Sequence, residues 1–368
     1  MKFSINQAEL QNALTVVVKG SSSRSVKPIL AGVYIQASED NVVFQTTDEV
    51  LSVKLTAKAL VEQPGRTVAP VSLLLNIVKK LPDMAVVVET DESGMNVYCN
   101  NTTFSLKTLD ADEFPLFPQV DAEEETSFPY TTFASMVRST ARVASHDETR
   151  PILTGVLVVQ DKTDLKMVAT DSYRLALVDA TLPMETSNMF EAVVAGTFLQ
   201  DLASLPMSDD PVKLALSENQ IVVTYQNTTF INRRIEGRFP NYRQLIADDY
   251  STRATLNTQE FLAAVGRVSL LSNKVSPIAV HVDAEAGSVT LSTRAQDVGN
   301  AQETILCPVE GETVDIAFNY HFLQEGLQSI QTETVNFDLS GSMKPGILRA
   351  IDSQDEESFL HLIMPVRM

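Results

Sequence analysis

Tryptophan is absent from this 368-residue chain, and cysteine and histidine are scarce, at two and four residues. Cys99 and Cys307 are lone residues, which suits a reducing compartment and excludes a Cys-rich zinc site. Cations are outnumbered, with 28 Lys and Arg against 47 Asp and Glu and a formal charge of −19. Taken alone, that argues against binding nucleic acid, whose phosphates need cations. Net charge averages over surfaces, however, and an acidic body can carry one basic face. No apolar run approaches the ~20 residues of a membrane-spanning helix. The start, MKFSINQAEL, lacks a basic region followed by an apolar core, so no signal peptide is expected. Without one, the Asn-Thr-Thr tripeptides read as turns leading into strands rather than as glycosylation acceptors.

Familiar chemistry is missing too. There is no G-x-x-x-x-G-K-[ST], no G-x-G-x-x-G after a strand, no G-x-S-x-G and no H-E-x-x-H. His146, His281, His321 and His361 are scattered and read as surface or packing residues. Thr170-Asp171-Ser172-Tyr173-Arg174 offers nucleophile-capable groups without a base at a defined spacing. No metal and no cofactor are expected, and the chain reads as a binding protein rather than an enzyme.

What is present is a repeat. Phe133–Val159 reads as an amphipathic helix, a polar basic bend SHDETR, and an extended apolar run beginning at Pro151. The same pattern occupies Leu10–Ile35 and Phe261–Val282, and Pro28, Pro151 and Pro277 recur at intervals of 123 and 126 residues. Asn101-Thr102-Thr103-Phe104 returns as Asn227-Thr228-Thr229-Phe230, and Phe114-Pro115 as Phe239-Pro240. A period this long is the size of a domain, not of a solenoid unit. Three domains are expected, at 1–120, 127–247 and 252–368, with acidic linkers near Val120–Glu125 and Ala247–Thr252. Each domain divides into two β-α-β-β-β halves, giving about six helices and more than twenty strands by pattern. The predicted class is α+β, with helices on one face of antiparallel sheets.

Several strings in fixed order then converge on a family. They are MKFSI, KPIL at Lys27–Leu30, FSLKTL with EFP at Phe104–Pro115, RPIL, ATDSYRLAL, GRFPNYRQLI and the tail LIMPVRM. Spread over nearly the whole chain, they resemble the bacterial DNA polymerase III β subunits, the replicative sliding clamps. The resemblance implies a homodimer closed head to tail, a ring of six similar domains with helices lining a hole for duplex DNA and sheets outside. Its partners would be encircled DNA, the replicative polymerase, the clamp loader and repair polymerases, in the cytoplasm and with no membrane.

The resemblance also implies sites. Short apolar motifs of partner proteins would dock on Leu153, Thr170, Ser172, Tyr173, Arg174, Leu175, Pro240, Gln244, Leu245, Pro345, Leu362, Ile363, Met364, Pro365, Val366, Arg367 and Met368. The apolar members would form an adaptable floor, with Arg174, Gln244 and Arg367 as a polar rim. Ser172 and Tyr173 depart from the Gly-His of the best-known members. The proline in LIMPVRM favours an exposed tail over a last core strand. DNA-facing cations would be Lys19, Arg24, Lys27, Lys79, Lys80, Arg138, Arg142, Arg150, Arg267 and Lys274, partly offset by Glu9, Asp201, Glu260 and Glu325. Phe104 and Leu106 on an edge strand would meet Leu270 and Leu271 of the other copy. Two other readings compete: a β-rich scaffold that does not bind DNA, and a hydrolase or transferase centred on Thr170–Arg174.

Overall fold

The computed structural model describes residues 1–22, 25–120, 125–182, 189–246, 249–272, 277–295, 299–351 and 357–367. All six halves have the β-α-β-β-β order, to which the first and fifth add a short trailing strand, Leu60–Gln63 and Val309–Gly311. The helices are α1 (Gln7–Val17), α2 (Val71–Val78), α3 (Tyr130–Thr140), α4 (Gly196–Ala203), α5 (Thr258–Ser269) and α6 (Tyr320–Ser329). Asn6, Asn257 and Asn319 cap α1, α5 and α6, each side chain accepting from a first-turn amide. The stretches Val18–Gly20 and Ala141–Val143 tighten into 3-10 turns at the C-terminal ends.

One expectation is corrected at the repeated prolines. Pro28–Ala31 and Pro151–Thr154 are 3-10 turns, and the strands begin only at Gly32 and Gly155. Proline's fixed φ and missing N–H suit the first position of a helical turn as well as they suit a strand start. Likewise LSVKLTAKAL, read as one strand, breaks at Ala59 into Leu51–Lys58 and Leu60–Gln63.

The chain divides into two compact units, Met1–Thr131 with Leu205–Arg234, and Thr132–Ser204 with Ile235–Met368. The cuts fall inside the second repeat, because the halves of that repeat belong to different sheets. In the first unit, an eight-stranded sheet joins the second half of repeat two to the first half of repeat one. The junction is strand Thr228–Arg233 antiparallel to Leu51–Lys58, with Phe230 opposite Val53. In the second unit, a nine-stranded sheet joins the first half of repeat two to the second half of repeat three. There Arg174–Thr181 runs antiparallel to Glu357–Ile363, with Leu175 opposite Leu362 and Leu177 opposite Leu360. In both junctions the strand that closes the β-α-β-β-β order of one half meets the strand that closes it in another.

Two halves remain. The first unit also has a five-stranded sheet ending at Thr102–Leu106, and the second a four-stranded sheet ending at Gly299–Leu306. These again close the β-α-β-β-β order of their halves, and both are sheet edges.

Burial follows the pattern. Phe133, Met136, Val137, Ala141 and Val143, the expected apolar face of the central helix, are all buried. In the second unit, Leu157, Val168, Leu175, Leu177, Leu360 and Leu362 form one face of the nine-stranded sheet, and Phe239 and Tyr242 pack on that core. These two rings meet edge-on at 6.4 Å.

Candidate functional site

The turn Thr170–Arg174 is built by its own side chains. The Thr170 hydroxyl accepts from the Ser172 amide at 3.2 Å, and Asp171 Oδ1 accepts from the Tyr173 and Arg174 amides at 2.9 and 3.0 Å. This geometry holds Ser172 at φ 80° and leaves Tyr173 62% exposed. The first repeat contains the same turn 123 residues earlier. Thr47 accepts from Glu49, Asp48 accepts from Val50 and Leu51, and Glu49 has φ 74°. A side chain at a left-handed residue is strained, at about 1–3 kcal/mol.

Arg174 is not the polar rim that its charge suggests. It is 9% exposed, and every face of its guanidinium is engaged. Nε donates to Asp171 Oδ2 at 3.0 Å, Nη1 to the Glu325 carboxylate, and Nη2 to the Arg142 carbonyl at 3.4 Å. The Phe322 ring lies 4.4 Å beneath it. Burial of a cation is tolerated here because two carboxylates and a ring replace its water. Glu325 is therefore occupied by Arg174 rather than standing as an offsetting inner charge. Phe322 and Glu325, from α6, are neighbours of this turn that sequence reading missed.

The same contacts count against the hydrolase reading. Asp171 accepts from two amides and Arg174, and the Thr170 hydroxyl donates to the Arg174 carbonyl at 2.7 Å, so both groups serve the turn.

The expected tail is also corrected in part. Leu362 and Ile363 belong to the strand Glu357–Ile363, interior to the nine-stranded sheet, and are 1% and 0% exposed. The strand stops because Pro365 cannot continue the ladder. The tail proper starts at Met364 and is fastened at two points. The Met364 amide donates to the Tyr173 carbonyl at 2.8 Å, and the Val366 amide to the Ala317 carbonyl at 2.9 Å. Met364, Val366, Leu245 and Tyr173 are exposed apolar side chains, between 36 and 62%. Leu153, Thr170, Leu175 and Leu362 are buried. Pro240, Gln244, Ser172 and Arg367 are exposed, Pro345 and Pro365 are half-buried, and Met368 lies outside the described residues.

Burial beside Arg174 also governs His361. Its ring is 1% exposed, Nε2 lies 3.2 Å from the Phe322 carbonyl, and Nδ1 has no hydrogen-bond partner. Burial, then the nearby Arg174 charge, pushes its pKa down to about 3, so the ring is neutral at neutral pH.

The expected DNA-facing cations lie on helices and the bends after them. Lys79, Lys80, Arg138, Arg142, Lys27, Arg150 and Arg267 are exposed and Lys19 is half-buried. Arg24 and Lys274 lie outside the described residues. Ion pairs join Lys27 to Glu49 at 2.5 Å, Arg150 to Asp147 at 2.9 Å, and Arg267 to Glu303 at 2.5 Å. Arg150 also donates to the Ser172 hydroxyl at 3.1 Å, and Arg138 to the Ala203 carbonyl at 3.0 Å. At the sheet edges, Phe104 is half-buried and Leu106 is 9% exposed. Leu270 is 81% exposed, Leu271 is half-buried, and Leu306, unforeseen from sequence, is 80% exposed. Among the described residues no cluster of His, Cys, Asp or Glu could hold a metal, and no helix is long and apolar enough to cross a membrane.

Comparison with known proteins agrees over the full length. Three family profiles match in order: DNA polymerase III beta subunit N-terminal domain at residues 1–118, central domain at 127–241 and C-terminal domain at 243–367. The chain is 32% identical over 379 residues to the beta sliding clamp of Bacillus subtilis and 31% over 377 residues to that of Streptomyces coelicolor, covering 100% of every chain. The crystal structure of the DNA polymerase sliding clamp from Bacillus subtilis superposes with a TM-score of 0.94 at 31% identity, covering 100% of this chain and 99% of that one. That of the DNA polymerase beta subunit of Streptococcus pyogenes gives 0.93 at 28%, covering 100% of both.

Proposed function

The chain belongs to the DNA polymerase III beta subunit family, and from that premise we propose that two copies close head to tail into a ring that slides on duplex DNA. It is a sliding clamp, the processivity factor of a replicative polymerase. The observation that carries the ring is the pairing rule of the sheets. Strands that close the β-α-β-β-β order of their halves meet antiparallel at both intrachain junctions. Thr102–Leu106 and Gly299–Leu306 are the two such strands left as edges. Pairing one with the other across two copies satisfies both, and with two protomers a head-to-tail interface closes. Phe104 and Leu106 would then meet Leu270 and Leu271 of the other copy, and Leu270 and Leu306 would lose their exposure to water. The domains are the three repeats, 1–120, 127–247 and 252–368.

Inside the ring, Lys19, Arg24, Lys27, Lys79, Lys80, Arg138, Arg142, Arg150, Arg267 and Lys274 would meet phosphates. Holding DNA topologically requires only weak, sequence-independent attraction, which permits sliding. The acid partners of Lys27, Arg150 and Arg267 keep that attraction weak. On the protein side, the exposed Tyr173, Leu245, Met364 and Val366 over the buried Leu175 and Leu362 would take an apolar linear motif of polymerase, clamp loader or repair polymerase. Ser172 and Gln244 supply polar groups beside it. The protein acts without catalytic chemistry of its own, in the cytoplasm.

The test is topological. Loaded by its clamp loader onto nicked circular plasmid, the protein should co-elute with DNA and be released when the plasmid is linearised. Equal retention on linear and circular DNA would contradict a ring.

A further inference from the structure

A second groove lies on the nine-stranded sheet, one residue row beyond the proposed peptide floor. Strand register sets out the rows. Leu175 and Leu362 face Ile347 in one row, Leu177 and Leu360 face Arg349 in the next, and Lys166, Asp179 and Ser358 make the third. The segment Tyr242–Ile246 runs over this face, and between it and the last two rows is a depression of about 490 Å³. Its floor is Leu177 and Leu360, both buried.

Among the described residues the rim carries three cations, Lys166, Arg243 and Arg349, and one carboxylate, Asp179. Lys166 pairs with Asp179 at 2.6 Å. Arg349 and Arg253 both hold the buried carboxylate of Asp338, at 3.0 and 2.6 Å. Arg243 is exposed and sits over the Tyr242 ring at 5.9 Å. In a chain of charge −19, the described rim has more cations than carboxylates over an apolar floor, continuous with the proposed docking floor through Leu175–Leu177 and Leu360–Leu362.

We propose that this groove takes an acidic segment flanking the apolar motif of a partner polypeptide, as a second anchor for the same peptide. The inference rests on the docking site proposed above. Carboxylates crossing the Tyr242 turn would meet Arg243 and Arg349 in charge-assisted hydrogen bonds, with the Leu177–Leu360 row beneath them. The exposed position of Arg243 makes its share of the attraction sensitive to salt.

The experiment measures peptide binding to the full-length protein by fluorescence anisotropy. A bare apolar-motif peptide is compared with versions carrying three aspartates at one end or the other. One extension should tighten binding about tenfold at about 0.05 M salt, with the gain fading by about 0.5 M. Arg243→Glu and Ser358→Asp, both at exposed positions, should abolish the gain while leaving the bare peptide unaffected. If the bare peptide binds but neither extension adds affinity, or the gain survives both variants, this inference fails alone. If no peptide binds, the docking site fails and this groove fails with it.

Discussion

The amide of Met364 donates to the carbonyl of Tyr173 at 2.8 Å, joining the start of the C-terminal tail to an exposed turn 191 residues earlier in the chain. The first unit contains the matching bond, from the Arg233 amide to the Val50 carbonyl at 3.2 Å. There the chain runs on into a connection. Here it turns at Pro365 and lays apolar side chains beside the turn. One structural device thus closes a sheet in one unit and edges a proposed docking site in the other.

Deleting Met364–Met368 should remove that edge without unfolding the protein, since Leu362 and Ile363 stay in the sheet. Binding of an apolar-motif peptide should fall at least about tenfold, the equivalent of about 1.4 kcal/mol, with the thermal transition within a few degrees of the parent. Calorimetric titration and circular dichroism on the same samples check both halves.

Arg174→Ala should cost about 2–3 kcal/mol. Removing one partner of a buried ion pair strands the other charge at about 3–5 kcal/mol, and the Glu325 side chain, 38% exposed, recovers some hydration. Urea midpoints of parent and variant measure the loss. An unchanged midpoint would mean that Asp171 and Glu325 do not depend on Arg174.

Two helix glycines should respond to alanine with opposite signs. At Gly326 in α6, a Cβ would stand 2.4 Å from His361 Cδ2 and 2.9 Å from Cγ, on a ring fixed in the sheet. Gly326→Ala should destabilise by about 1–3 kcal/mol. At Gly266 in α5 nothing lies within 4 Å, so Gly266→Ala should gain up to about 1 kcal/mol of helix propensity. Denaturant unfolding of both variants reads the two signs.

His361 makes stability fall with acid. Its folded pKa of about 3 lies below the ordinary value of 6.5, so the unfolded chain binds the extra proton between those values. The stability contribution is full above about pH 6.5 and is lost as pH falls toward about 3. Between about pH 7 and 5, this residue alone accounts for about 2 kcal/mol. His361→Gln, which keeps a donor for the Phe322 carbonyl, should flatten the acid side of the stability profile. An identical slope in parent and variant would contradict the assignment.

The repeat and the six halves were legible in the sequence because each rests on local pattern and each was written more than once. The sharing of sheets was not. Nothing local to Arg174–Thr181 says that it pairs with Glu357–Ile363 rather than with a neighbour in its own repeat. Arg174 looked like a rim residue because its partners Glu325 and Phe322 lie about 150 residues away on a helix without any marker for them. LIMPVRM was half strand and half tail because an apolar run before proline is compatible with either, and only the ladder to Arg174 and Leu175 decides where the strand ends. Leu270 was legible as a helix-end apolar residue, whereas Leu306 became visible only once its strand was seen to be a sheet edge.

The most direct measurement is imaging of the purified protein by negative stain with native mass taken on the same sample, for the parent and for Leu270→Asp. Leu270 is 81% exposed, so the substitution leaves the folded chain intact. The parent should give rings with a central hole at the mass of two chains, and the variant single chains without rings. Solid particles at the mass of one chain for the parent, persisting as concentration is raised, would contradict the account.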